Sequence, residues 1–435
     1  MLLNLFSGFA AVMMLMFPLT ATYADETKSE LLPEPLTLDI ALNLIDQQHP
    51  DLRFVHAGVQ ASRSNLQQIL STNDLNINLQ ATARWIDPSD VSINKTQEDH
   101  RLGLSANKTL YDFGRSTSQI DAATQQVLSQ NLQYLNARQH QYLIVMQRYF
   151  DVVLADLQFY RYNEEMAVAF IQFDRIQVRH KLGQHTEVEV SEKEVEYNRV
   201  RRLRTYSQNQ QRVTRSLLAQ ALNRPNNLPA TVAKPEVDVN PRKLPDVDQT
   251  QKIVRKNNPV LKALRAKLIA AKNNIHFAQA GDNPVLTGGI ETFAYDRETS
   301  SSDKWRAQIT LDIPLWSGSR VDAAVAKAKS EVYKVEAELA QQELLLEQQV
   351  LELLLGLETL KVKYDEVISA MNFTELSLDE SRALYELEVK SDLGLSMVKF
   401  SEAERDVVKT SFDIALAWAQ LDALSGTLLN KTKKQ

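Results

Sequence analysis

The sequence predicts a mainly α-helical chain with a small β part, in which long helical hairpins and pairs of strands occur twice. Three observations lead to this fold class. Proline is absent between Pro88 and Pro225 and again after Pro314, so very long helices can run through both regions. A stretch with alternating apolar residues precedes each of these regions. Several short blocks of the first half recur in the same order in the second half.

These repeated blocks indicate an internal duplication. The matching pairs are HPDLRF and NPVLKA, TLYDFGR and PLWSGSR, and TEVEVSEKE and SMVKFSEAE. Five prolines crowd the region from Pro225 to Pro245 and predict a connector between the halves. The predicted boundaries are a signal peptide at 1–24, a first repeat at 25–223, a proline-rich linker at 224–248, a second repeat at 249–425 and a polar tail at 426–435.

The N-terminus predicts export from the cytoplasm. An apolar stretch from Leu2 to Leu19 is followed by Thr22-Tyr23-Ala24, which is typical of a signal cleavage site. A retained membrane anchor is the alternative, because no Lys or Arg precedes the apolar stretch. The chain has no cysteine, which excludes disulfides, thiolate metal sites and an acylated N-terminal cysteine. The net charge of -6 gives no basic excess that would point to nucleic acid.

Each repeat is expected to contain the same elements in the same order. A short amphipathic helix comes first, around the His-Pro or Asn-Pro block. Two strands follow, and the four predicted strands are Asn76 to Ile86, Arg101 to Leu110, Val285 to Tyr295 and Trp305 to Leu315. A long helix then begins at a Gly-Arg junction, formed by Gly114 and Arg115 in one half and by Gly318 and Arg320 in the other. Glycine at these junctions permits the bend between strand and helix.

The long helical regions are each expected to break once. The first helix should run from Arg115 to about His180, or about 100 Å at 1.5 Å per residue. The breaks are predicted near residues 181–186 and 391–396, where Gly183 and Gly394 suit a sharp turn between two helices. No compact domain of this size needs helices of that length.

Strands with one apolar face need a protein surface or lipid to cover that face. Four strands cannot close a membrane barrel, and open sheet edges are not tolerated in hydrocarbon. If these strands meet lipid, several copies of the chain must share one barrel. Three copies would supply about twelve strands, and the helices continuing from them would form a helical tube on the same axis.

The two junctions and their order resemble the TolC-like outer-membrane factors of bacterial efflux and secretion machines. LYDFGR, residues 110–115, and LWSGSR, residues 315–320, are similar to the strand-to-helix junctions of that family. The resemblance extends from about Leu36 to Leu424. It implies a homotrimer with a 12-stranded outer-membrane β-barrel and a periplasmic α-helical tunnel. The partners implied are outer-membrane lipid, a periplasmic adaptor protein, and an inner-membrane pump or ATP-driven exporter.

The function that this resemblance implies is a passive export duct for small toxic compounds. Polypeptide cargo, as in type I protein secretion, is an alternative, because the duct is similar in both systems. A soluble periplasmic coiled-coil interaction protein is a second alternative, and detergent dependence would separate it from a channel. The expected location is the outer membrane, with an extension into the periplasm.

The resemblance also implies two sets of site residues. The helical hairpin tips would dock the adaptor through Leu182, Gly183, Thr186, Leu393, Gly394, Leu395 and Ser396. The alternative is that these glycines are only helix C-caps, followed by Thr or Ser N-caps. The tunnel mouth would carry the charges of Glu189, Glu192, Lys399 and Glu402. Lys399 departs from the acidic pattern and would neutralise Glu402 locally, and the alternative is that all four are solvated surface charges.

No motif predicts catalysis. The seven histidines are scattered without a metal-binding spacing, and no nucleophile or phosphate-binding motif is present. We therefore expect no enzyme activity, no cofactor and no metal. The basic run from Asn198 to Arg204 is interpreted as a polar helix face rather than a nucleic-acid site.

Overall fold

The computed structural model describes residues 32–299, 302–387, 389 and 392–431, so the predicted signal peptide lies outside the described residues. The first half contains α1 (Leu38–Asn43), α2 (Pro50–Ser71), β1 (Asn76–Thr82), β2 (Arg101–Tyr111), α3 (Arg115–Lys181) and α4 (Glu187–Ala221). The second half contains α5 (Val247–Asn257), α6 (Pro259–Gln279), β3 (Val285–Tyr295), β4 (Trp305–Asp312), α7 (Arg320–Glu386), α8 (Leu393–Leu424) and α9 (Leu428–Lys431). The predicted fold class is confirmed, since both halves follow the order helix, two strands and helical hairpin.

The two long helices are equal in length. α3 and α7 each contain 67 residues, which corresponds to about 100 Å. The N-terminal half of α3 contacts α2, where Arg63 donates to the Asn131 side chain. Its C-terminal half contacts α4 and α8, where Ser401 donates to Glu164. Near its start α3 also contacts α6 of the second half, where the Arg115 guanidinium lies over the Phe277 ring. Both halves of α3 therefore contact helices of the second half of the chain.

The matching helices α2 and α6 begin in the same way. Pro50 and Pro259 are their first residues, a position where the missing amide hydrogen of proline costs nothing. The preceding side chains cap the helices: His49 accepts from the amide of Asp51, and Asn258 accepts from the amide of Val260 at 2.9 Å. The repeated His-Pro and Asn-Pro blocks are thus helix starts.

All four strands form one antiparallel sheet in the order β1-β2-β3-β4. The contact between β2 and β3 joins the two halves, with Arg101 opposite Tyr295. Three predicted strand ends are wrong, and for β2 the end is Tyr111 and not Leu110. β1 ends at Thr82 and not at Ile86, and β4 ends at Asp312 and not at Leu315. Pro314 has no amide hydrogen for the sheet, which explains why alternation outlasts pairing in β4.

Two hydrophobic cores lie where the helices of the two hairpins meet. The first core packs α3 against α4, α8 and the N-terminal segment, and Phe150 stacks on Phe412 with ring centroids 4.1 Å apart. The second core packs α7 against α5, α6 and α8. Leu428 of α9 is buried in the first core, so the start of the predicted polar tail packs against the protein.

The proline-rich linker packs across both hairpins. Val232 pairs with Leu36 in an isolated parallel bridge, and the buried Tyr149 hydroxyl lies 2.6 Å from the carbonyl oxygen of Ala233. Farther along the linker, the Arg242 guanidinium lies 4.4 Å from the Trp418 ring and 2.6 Å from the Asp422 carboxylate. The linker is therefore fixed on one side of the helices.

Within the described part of the chain, every helix is too polar or too short to cross a bilayer.

Candidate functional site

The two strand-to-helix junctions contain glycines in the left-handed region. Gly114 has φ of 90° and Gly318 has φ of 66°, values that favour glycine because it lacks a Cβ. Arg115 begins α3 with its guanidinium 5.4 Å from the Phe277 ring, and Arg320 begins α7 with its guanidinium 3.5 Å from Asp282. Both arginines therefore hold a long helix against the region where α6 ends.

The first hairpin tip, between α3 and α4, is a tight turn closed by a capping box. Gly183 has φ of 75°, and its amide donates to the carbonyl oxygen of His180 at 2.8 Å. The Thr186 side chain accepts from the amide of Glu189, and the Glu189 carboxylate accepts from the amide of Thr186 at 2.8 Å. This bond holds the pKa of Glu189 below its usual value, with smaller contributions from the Thr186 hydroxyl and from His185. Leu182 is 69% exposed beside the turn.

The second tip has a different construction, and the prediction that Gly394 forms its turn is wrong. Leu393, Gly394, Leu395 and Ser396 all lie in the first turn of α8, whose N-cap position is Asp392. A Cβ on Gly394 would lie 2.6 Å from a methyl group of Val168 in α3, so glycine permits close helix packing here. Ser396 is not an N-cap either, because it lies within α8, and its hydroxyl lies 2.7 Å from the Ser381 hydroxyl of α7.

The four predicted tunnel-mouth charges occupy different environments. Glu189 belongs to the capping box, while Glu192 and Lys399 are exposed. Glu402 lies 3.4 Å from the Arg161 guanidinium of α3, and among the described residues it forms no ion pair with Lys399. The expected neutralisation of Glu402 by Lys399 is therefore wrong. An arginine of the other hairpin neutralises it instead.

A chain of charges connects three helices near these residues. Arg161 also lies 3.5 Å from Glu165, and Glu165 lies 3.2 Å from Arg199 of α4. Sequence reasoning missed Arg161, since its partner is more than 200 residues away and no local spacing marks it. Contacts between helices also explain the basic run from Asn198 to Arg204. Arg199 forms ion pairs, and the Arg204 guanidinium lies 5.1 Å from the Phe159 ring. These two arginines of the run are thus engaged with neighbouring residues of the helices.

The two histidines near the first tip do not converge on a common point. The Nδ1 atom of His180 lies 2.8 Å from the carbonyl oxygen of His185, while the His185 ring faces Glu189 at 3.4 Å. In residues 32–299, 302–387, 389 and 392–431, no group of three or more metal-ligating side chains of the His, Cys, Asp and Glu types comes together.

The sheet has one apolar face and one polar face. Since side chains alternate along each strand, Leu79, Leu104 and Ile290 lie on one face, together with Ile309. Neighbouring residues such as Ser105 lie on the other face. Ile77, Leu79, Ile290 and Ile309 are 63–73% exposed, so the apolar face has no cover within the described chain. β1 and β4 are the two edges of the sheet.

The comparisons with known proteins agree with this architecture. Residues 252–365 match the sequence model described as outer membrane efflux protein. A membrane protein from Pseudomonas aeruginosa superposes with a TM-score of 0.74 at 19% identity, covering 91% of each chain. The outer membrane protein VceC from Vibrio cholerae superposes with a TM-score of 0.71 at 16% identity, covering 89% of this chain and 96% of VceC.

A third similar structure is the open state of the MtrE outer membrane channel from Neisseria gonorrhoeae. Its TM-score is 0.71 at 18% identity, covering 90% of this chain and 89% of MtrE. No curated protein sequence matches the chain. The chain thus has the fold of these outer-membrane channels, and its residues 252–365 match the family model described as outer membrane efflux protein. The predicted resemblance to TolC-like channels is confirmed.

Proposed function

We propose that this protein is the outer-membrane channel of a tripartite export system, a passive duct that carries small toxic compounds out of the periplasm. One observation carries the proposal: a sheet with an exposed apolar face continues at both junctions into helices of about 100 Å. The apolar face suits acyl chains, and the long helices suit a tube that extends away from the membrane. The family match over residues 252–365 supports this reading.

The open edges of the sheet support assembly of several copies. β1 and β4 present unpaired backbone groups, which are costly in hydrocarbon unless another strand pairs with them. Pairing of β1 with β4 of a neighbouring copy satisfies both edges. Three copies give a barrel of about twelve strands, within the range of outer-membrane barrels. We propose this homotrimer, built from the repeats at residues 25–223 and 249–425.

The hairpin tips are proposed as the contact surface for a periplasmic adaptor that connects the duct to an inner-membrane pump. Leu182 and Leu395 are 69% and 49% exposed at the two tips, although each is an apolar residue. Exposed apolar residues at the ends of rigid hairpins fit a docking role. The glycines beside them serve the local fold, because Gly183 forms a turn and Gly394 packs against Val168.

The decisive experiment is to purify the mature protein in detergent, measure its mass and record its conductance in planar bilayers. A trimer with stable conductance is the expected result. A monomer that is soluble without detergent and does not bind outer-membrane fractions would contradict the proposal and favour a periplasmic coiled-coil protein. Co-purification with an ATP-driven exporter, rather than a proton-driven pump, would assign polypeptide cargo.

A matched pair of variants tests which face of the sheet meets lipid. Leu104→Arg places a charge on the apolar face, and Ser105→Arg places it on the polar face one residue later. An arginine facing the bilayer midplane costs about 2–4 kcal/mol per copy. Leu104→Arg is therefore expected to abolish membrane assembly, and Ser105→Arg is expected to retain it and alter ion selectivity. Equal assembly of both variants would refute the assignment of the faces.

A further inference from the structure

Two helices lie at the ends of a row of four helices near the hairpin tips. α4 contacts α3, α3 contacts α8, and α8 contacts α7, so the order along the row is α4, α3, α8 and α7. The row ends at α4 and α7, as the sheet ends at β1 and β4. One edge strand leads directly into one end helix, because α7 follows β4 in the chain. The outer sides of α4 and α7 are therefore the surfaces of the row that a neighbouring copy can reach.

α7 presents a line of apolar residues on its exposed side. Leu355, Val362 and Phe373 are 51–70% exposed and are separated by seven and eleven residues. Steps of seven and eleven residues return to the same side of a helix within about 20°, so the three side chains form a straight line. Exposed carboxylates that form no ion pair with a described residue lie on the same side of the helix, namely those of Glu358, Asp365 and Glu366. This end of the row is apolar and acidic.

α4 presents a similar line at the other end of the row. Val195, Tyr206 and Val213 are 48–69% exposed and are separated by eleven and seven residues, so they also share one side of their helix. The exposed arginines of this stretch form no ion pair with a described residue, and they are Arg201, Arg202 and Arg212. This end of the row is apolar and basic.

The two lines interleave when the tips are level. α3 and α7 start at the two junctions and have equal lengths, so the tips lie at similar distances from the sheet. At 1.5 Å per residue, the line of α4 has side chains at about 12, 28 and 39 Å from the start of that helix. The line of α7 has them at about 20, 36 and 46 Å from the end of that helix. Each apolar side chain of one line thus faces a gap in the other.

The charges match in the same register. Asp365 and Glu366 lie about 31 Å from the end of α7. On α4, Arg202 lies about 22 Å and Arg212 about 38 Å from the start of the helix, so the two carboxylates fall between the two guanidinium groups. Opposite charges on the two ends of one row favour contact between the end of one copy and the other end of the next.

We propose that α4 of one copy packs against α7 of the next copy, with the two apolar lines interleaved and Arg202 paired with Asp365 and Glu366. This inference rests on the proposed homotrimer and assigns its contact surface in the helical part. A contact between two different surfaces of the same chain forms a closed ring when the rotation between copies closes. It also gives a role to Arg201 and Arg202, the part of the basic run that the chain itself leaves unpaired.

Cross-linking through introduced cysteines tests the contact in the full mature protein in detergent. Tyr206→Cys and Ser369→Cys are combined in one chain, and a bismaleimide with a two-carbon spacer is added. The chain has no cysteine, so the reagent joins only the introduced residues. α3 and α8 separate α4 from α7 within a copy, so linked dimers and trimers are expected on a denaturing gel.

The matched control moves one cysteine to another side of α7. Lys363 lies six residues from Ser369, which turns it about 120° around the helix. Tyr206→Cys with Lys363→Cys is expected to give at most a small fraction of the linked product. Equal linking through positions 369 and 363 would overturn the inference. Absence of linked copies for position 369, in a protein of trimeric mass, would overturn it as well.

A charge exchange tests the pairing of the arginine. Arg202→Glu is expected to speed dissociation of the trimer in detergent about twofold or more, because it replaces attraction by repulsion. Glu366→Arg in the same chain should restore slow dissociation. Lys363→Glu makes the same change of charge away from the apolar line and should leave the rate unchanged. An unchanged rate in Arg202→Glu, or no restoration by Glu366→Arg, would refute the pairing.

Mass and conductance keep this inference distinct from the proposed function. A conducting trimer without the expected cross-link retains the channel and removes this interface. Cross-linked copies without conductance retain the interface and remove the channel. A native protein that is monomeric in detergent removes both.

Discussion

Gly394 and Gly183 both lie at hairpin tips, yet the structure predicts opposite reasons for their presence. At Gly394 an added Cβ would lie 2.6 Å from Val168, whose β-branched side chain has little freedom to move away. Overpacking of this kind costs about 1–3 kcal/mol, and replacing a helical glycine by alanine returns about 1 kcal/mol. Gly394→Ala is therefore expected to weaken the contact between α8 and α3 by about 1 kcal/mol, or about fivefold in local opening.

Hydrogen–deuterium exchange followed by mass spectrometry measures this change on peptides from residues 395–405. Faster exchange is expected in Gly394→Ala, and a second substitution, Val168→Ala, should restore slow exchange by removing the clashing methyl groups. Gly183→Ala is the matched control. Its strain arises from a φ of 75° with no atom near the added Cβ, so only the peptide around residues 184–190 should exchange faster, and Val168→Ala should not rescue it.

Unchanged exchange of residues 395–405 in Gly394→Ala would refute the reasoning. A failure of Val168→Ala to restore slow exchange would refute it as well, because the cost would then lie elsewhere than in that contact.

Three further predictions concern the first tip and the charges of the predicted tunnel mouth. Thr186→Ala removes the capping box and should lower the free energy of local opening at residues 187–190 by about 1 kcal/mol, which speeds their exchange, whereas Thr186→Ser should retain slow exchange. Because its pKa is lowered, Glu189 contributes fully to the cap above the ordinary glutamate pKa of about 4.3, and this contribution is lost as the pH falls through the lowered pKa. Exchange rates corrected for their intrinsic pH dependence should show this loss in the native protein and not in Glu189→Gln. Glu402→Gln should weaken the contact of α8 with α3 by up to about 1 kcal/mol, with a non-zero coupling to Arg161→Gln in a double-mutant cycle and none to Lys399→Gln.

Local patterns were sufficient to predict most elements of the fold. The long helices follow from the regions without proline, and the observed start of α3 at Arg115 is the predicted residue. Strand positions followed from alternation, but alternation alone did not mark the end of pairing at Thr82 or Asp312. Pairing depends on a partner strand, and the partner of β2 across the two halves lies nearly 200 residues away.

The candidate site depended more strongly on contacts between distant residues. The turn at Gly183 and the cap at Thr186 use neighbours within a few residues, so sequence reasoning identified their local roles. Gly394 looked the same in the sequence, but its role is set by Val168 on another helix. Glu402 likewise has its partner on α3 and not at the nearby Lys399.

The sequence by itself determined the duplicated order of helices and strands, the bends at Gly114 and Gly318, and the apolar side of each strand, because periodicity and backbone freedom are properties of neighbouring residues. Only the tertiary structure decided that the two strand pairs form one sheet, that Arg161 neutralises Glu402, and that Gly394 packs against Val168. The sheet depends on the pairing of β2 with β3 across the two halves, and the helix contacts depend on which surfaces of long helices face one another, so distant parts of the chain fix both.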